Sequence, residues 1–219
     1  MTQTVTNSSR AEVLRRIRAA NGGASNAAGA HISWQGIPRA YTQAGSRDRN
    51  SVLQLLEDRL IDYDAHVSHT MSAGIAQSIA QTLAGRGARR IVIPAGLNPQ
   101  WLPSGVDFVV DDGLTATTLD AFDGVLTAAT LAIAETGSFV LQNVHGQGRR
   151  AITLVPDYHL CIIRAEDVVE TVPEALRRLQ PTAHLATTFV SGPSATADIE
   201  MTRIKGVHGP RSLDVILIA

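Results

Sequence analysis

Cysteine is nearly absent from this chain of 219 residues, and Cys161 stands alone. One thiol forms no internal disulfide, and it cannot by itself hold an iron–sulfur cluster, which takes about four protein ligands. Inside the apolar run 160–163 it reads as a small buried hydrophobe rather than a reactive thiol. Aromatic residues make up only 4%, which argues against the base-stacking platforms of single-strand nucleic-acid binders. The formal net charge of −1 supplies no global field to draw nucleic acid or an anionic membrane. No stretch approaches the ~20 apolar residues of a membrane span, and residues 1–10 lack the apolar core of a signal peptide. The expected compartment is therefore the cytoplasm. Three further signatures are missing: a Gly-x-Gly-x-x-Gly turn after a strand, a Walker loop and a Gly-x-Ser-x-Gly elbow. Nothing in the sequence thus points to a dinucleotide, to ATP at a P-loop or to a serine hydrolase.

What is present is an ordinary globular composition, 44% hydrophobic and 18% charged. The length suits one large α/β domain whose core needs neither disulfide nor metal. Ser8 or Ser9 is placed to cap a first helix with Val13, Leu14 and Ile17 on one face. A glycine-rich and small-residue stretch, 21–30, then reads as a flexible linker. Residues 1–49 are therefore expected to form a helical arm and linker that either reaches a partner subunit or folds back on its own domain. Residues 50–219 are expected to form the α/β domain proper.

Within that domain, helices are predicted over 51–60, 72–83, 117–122 and 171–179. Apolar runs predict strands at 65–68, 90–94, 107–110, 124–133, 139–142, 152–155, 160–164, 185–190 and 213–218. Helices between successive strands imply a largely parallel sheet covered on both faces.

The densest polar material lies between the last two apolar runs. Ser191-Gly-Pro-Ser194 and Thr196 offer hydroxyls and backbone N–H groups, a cradle for an anion if a helix starts there. The alternation around Ile199 and Met201 instead favours a strand. Asp198, Glu200 and His208 are metal-ligand types, but their spacing matches no zinc signature, and no metal is expected. His208, between Gly206 and Gly209-Pro210, suits acid/base chemistry or ligand contact. Upstream, Glu135-Thr136-Gly137-Ser138 places a carboxylate between apolar runs, where it faces a cavity, meets a cation or simply sits in a solvated turn. Arg149 and Arg150 follow a glycine-rich turn and can grip a carboxylate or phosphate; a solvated turn is the plainer reading.

Three blocks carry a resemblance: 132–138 (Ala-Ile-Ala-Glu-Thr-Gly-Ser), 191–200 (Ser-Gly-Pro-Ser-Ala-Thr-Ala-Asp-Ile-Glu) and 206–211 (Gly-Val-His-Gly-Pro-Arg), with 154–159 as a weaker fourth. Together they resemble the LUD-domain family, in its lactate-utilisation protein C branch, over about residues 50–219. The resemblance implies a NagB/RpiA/CoA-transferase-like α/β fold. It also implies a part in oxidising L-lactate to pyruvate beside partner proteins that carry iron–sulfur clusters, with no cofactor in this chain. The site it outlines has Glu135, Asp198 and His208 as candidates for chemistry. Candidates for binding a small anion are Thr136, Gly137, Ser138, Arg150, Ser191, Gly192, Pro193, Ser194, Thr196, Glu200 and Gly209. A free-standing enzyme acting on a sugar phosphate, CoA thioester or folate-like anion is the competing reading.

Overall fold

The computed structural model describes residues 5–21, 29, 33–197, 203–205 and 209–219. They fall into two compact units, Met1–Tyr41 and Thr42–Ala219. In the smaller unit, helix α1 (Val5–Ala20) carries Glu12 within 2.8 Å of Arg15 and 2.9 Å of Arg16. The helix begins ahead of Ser8 and Ser9, so neither is its cap; both lie within the first two turns. Most of the stretch read as a linker lies outside the described residues.

The larger unit opens with α2 (Arg49–Asp62), capped by the Asp48 carboxylate, which accepts from the Ser51 N–H at 3.1 Å. Strand β1 (His66–Thr70), a 3-10 turn and α3 (Ile75–Arg86) follow, then β2 (Arg90–Ile93), β3 (Asp107–Val110), α4 (Ala116–Asp120) and β4 (Gly124–Ala128). Next come β5 (Leu131–Ile133), β6 (Ser138–Gln142), β7 (Tyr158–Arg164), β8 (Val168–Val169), α5 (Val172–Leu179) and β9 (Thr187–Val190). The short β10 (Ala195–Ala197) and β11 (Arg203–Lys205) precede β12 (Ser212–Ile218). A six-stranded sheet with the order β1-β12-β7-β4-β2-β3 is parallel throughout. A second sheet, β8-β5-β6-β9, mixes one parallel and two antiparallel pairings.

Side-chain alternation along the parallel strands builds two cores. On one face, Leu160, Ile162 and Ile216 pack beneath Ile75, Ile79 and Leu83 of α3. On the other, Cys161, Ile163, Val215 and Leu217 meet Leu56 and Leu60 of α2 and Phe139 of the second sheet. The far side of that second sheet is covered by Ala175 and Leu179 of α5. The expected α/β sheet with helices on both faces is therefore present.

Two strand expectations change. The run 124–133 is two strands, because the chain leaves one sheet for the other between adjacent residues. Ala129 donates its N–H to Ile162 O of β7 at 3.0 Å, and Thr130 donates to Val140 O of β6 at 2.8 Å. The run expected as a strand at 152–155 instead begins in a 3-10 turn, Arg150–Thr153, with Ile152 fully buried against Val92, Leu119 and Val125.

Candidate functional site

Two glycines bring the distant polar blocks together. Gly137 (φ 57°) lies so close to α2 that an added Cβ would come within 2.6 Å of Arg59 Cβ. Gly192 (φ 80°) lies as close to Tyr63, the residue that ends the same helix, again at 2.6 Å from its Cβ. Only glycine adopts that backbone cheaply while leaving room for the helix. With both loops seated on one helical turn, Ser138 Oγ and Ser191 Oγ share a hydrogen bond of 2.6 Å. A third segment joins when the Ser194 N–H donates to Pro210 O at 2.7 Å.

The 191–195 and 209–210 segments, with the turn at Arg150–Thr153 and the amino ends of β7 and β12, line a cavity of about 310 Å³. Arg150, Thr153, His159, Ser191, Ser194 and Leu213 give it its character, and Gly192, Pro193 and Gly209 complete the wall. No helix starts at Ser191–Ser194, since the chain runs directly into β10, so a helix N-terminus makes no contribution there. β10 pairs antiparallel with β11, and the alternation around Ile199 and Met201 lies outside the described residues.

Arg150 uses Nη1 on Thr153 O (2.9 Å) and Thr153 Oγ1 (3.0 Å). Partial burial lowers its pKa, and it stays protonated. No carboxylate among the described residues pairs with it. Beneath it lies His159, 2% exposed, with Nε2 at 2.8 Å from Thr127 Oγ1 and the Phe139 ring set edge-on at 5.7 Å. Burial, aided by the Arg150 charge, pushes the imidazole pKa from 6.5 to about 3, so it is neutral at pH 7. His159 was not among the candidates. Its sequence signals are its place at the end of the weaker resemblance block 154–159 and a histidine inside the otherwise apolar strand 158–163, a pattern that core packing also produces.

The remaining candidates divide. Ser138 is buried one hydrogen bond behind the cavity wall. Thr136 Oγ1 is buried without a hydrogen-bond partner. Glu135 is exposed on the β5–β6 turn and does not line the cavity. Thr196 stands on β10 opposite Ile204. Asp198, Glu200 and His208 lie outside the described residues. Among the described residues no group of three or more His, Cys, Asp or Glu side chains is arranged to hold a metal ion.

Two other cavities also contain an arginine, and in both a buried aspartate has already neutralised it. At the carboxyl ends of β2 and β3, a cavity of about 430 Å³ contains Arg149 and Asp111, paired at 2.7 and 2.8 Å. Beside β1, one of about 550 Å³ contains Arg86 bound to Asp214, which also accepts from the Tyr158 hydroxyl at 2.9 Å. The adjacent Arg149 and Arg150 thus point to different chemistry, one closing an internal ion pair and the other open to an incoming anion.

A model of the LUD domain matches residues 112–218. The chain is 40% identical over 181 residues to lactate utilization protein C of Deinococcus radiodurans, covering 81% of this chain and 84% of that protein. It is 26% identical over 200 residues to lactate utilization protein C of Anoxybacillus flavithermus, covering 86% and 87%. The crystal structure of a DUF162 family protein from Deinococcus radiodurans superposes with a TM-score of 0.71 at 37% identity, covering 80% of this chain and all of that one. With such identity over most of both sequences, on this sheet and with these loops, the chain belongs to the LUD-domain family.

Proposed function

We propose that this chain is the ligand-binding member of a cytoplasmic lactate-utilisation system and that its cavity takes a small 2-substituted carboxylate. The observation that carries this reading is Arg150, a cation lining the cavity with no carboxylate partner among the described residues. Its remaining N–H groups suit a planar carboxylate, which guanidinium binds bidentately. Ser191, Ser194 and His159 would then receive the oxygen on the neighbouring carbon. The names of the relatives supply the substrate. In this reading the chain works in a complex that oxidises L-lactate to pyruvate, and iron–sulfur partner proteins carry the electrons that a lone buried Cys161 cannot.

Titration calorimetry with L-lactate tests the assignment. The wild-type chain is expected to bind, and Arg150→Ala to lose binding by about tenfold or more, the scale of one charge-assisted hydrogen bond. In a strain deleted for this gene, growth on L-lactate is expected to return with the wild-type copy and not with Arg150→Ala. The cavity also has room for anions larger than lactate. If a sugar phosphate, CoA thioester or folate bound in an Arg150-dependent way while lactate did not, the chain would be a free-standing enzyme of that class.

A further inference from the structure

We propose, building on the carboxylate reading above, that His159 presents a lone pair on Nδ1 to the ligand and thereby selects a 2-hydroxy acid over the matching 2-keto acid. Nε2 is already engaged by Thr127. Nδ1 has no hydrogen bond to another described residue, yet among the described residues only Thr136 Oγ1 is both fully buried and without a partner. The slight exposure of the ring is therefore at Nδ1, and the ring lines the cavity.

Which nitrogen carries the proton follows from what lies behind the ring. Thr127 Oγ1 is 3.8 Å from Cys161 Sγ, and Sγ is 3.9 Å from Ile162 O. The bond between His159 and Thr127 forms in either tautomer. Only when Nε2 is the donor does the Thr127 hydroxyl keep its proton for the sulfur, and the Cys161 proton then faces a backbone carbonyl. Every donor along this line has an acceptor, and weak sulfur bonds suffice to tip a choice that is otherwise even. The Arg150 charge acts in the same direction, because a cation lining the cavity favours a lone pair facing it over an N–H. A 2-hydroxy acid can donate its hydroxyl proton to that lone pair. A 2-keto acid would set one acceptor against another and leave both unpaired. Thr127 and Cys161 are positioning residues here, and His159 is the one that touches the ligand.

Long-range proton–nitrogen spectra of the full chain labelled with 15N-histidine, assigned with His159→Gln, test the tautomer before any ligand is added. A protonated Nε2 and a bare Nδ1 are expected; a protonated Nδ1 overturns the proposal. Calorimetry should then show L-lactate binding roughly tenfold or more tighter than pyruvate. Thr127→Val removes the acceptor for Nε2–H, so it should shift the proton to Nδ1 and reverse that preference. If Thr127→Val does not fold, the wild-type spectrum and affinity ratio decide the matter. Equal affinities with a bare Nδ1 would overturn the selection and leave the carboxylate site standing. If neither acid bound, both readings would fall.

Discussion

At His159, burial withholds a proton that the unfolded chain would accept. The folded pKa is about 3 against 6.5 in the open chain. Between those values the unfolded state binds more protons, so stability falls as pH drops from 6.5 toward 3. The slope approaches about 1.4 kcal/mol per pH unit for one such group. Carboxylates held low by a cation, such as Asp111 beside Arg149, add their loss only below the ordinary carboxylate range. Urea midpoints taken between pH 7 and 4.5 therefore isolate the histidine: wild type should weaken across that interval, and His159→Gln should weaken distinctly less. Equal slopes would mean that the imidazole is not buried as described. This residue was hard to find in the sequence for a physical reason. A histidine hydrogen-bonded in a core and one aimed at a ligand sit in the same apolar strand pattern, and only the unused nitrogen separates them.

Among the elements, the last turn of α2 has the largest share in assembling the site. Gly137 and Gly192 both close on it, and their loops carry Ser138 and Ser191. Gly137→Ala should cost about 1–3 kcal/mol of stability from its positive φ and the contact with Arg59, and it should also weaken ligand binding. Gly105→Ala is the control, since Gly105 has φ 88° but nothing near its missing Cβ. That variant should carry only the backbone strain and bind normally; thermal melts and calorimetry on the pair would show whether crowding at α2 matters. Much at this scale was legible beforehand. The helix expected over 171–179 is α5, and a capping box of Thr171 and Glu174 starts it. The convergence of the 135–138 and 191–194 segments was legible only through the family resemblance, because docking of two glycines on a remote helix leaves no periodic trace. The run 152–155 reads as a strand although the 3-10 turn Arg150–Thr153 reaches into it, because a short buried apolar run has the same composition in a turn as in a strand.

For the whole molecule, strand order matters more than strand identity. The apolar runs marked most of the strands, yet alternation cannot tell which neighbours pair. β12, last in the chain, lies between β1 and β7 and is bonded to both along its length. A chain ending at Arg211 should therefore lose both pairings, the Asp214 partner of Arg86 and Tyr158, and the side chains that β12 supplies to two cores. Circular dichroism is expected to show no cooperative melt for that chain, and a sharp transition would mean that the other strands close without it. The same order has a consequence in the cell. While the polypeptide is still leaving the ribosome, β1 and the β12-facing edge of β7 have no neighbour to pair with. Unpaired parallel edges of this kind invite association with other chains. Synthesis of this protein thus includes an interval in which almost all of its domain exists and its six-stranded sheet is still open between β1 and β7. A cell that makes it in quantity would need to shield the nascent chain until the final strand arrives.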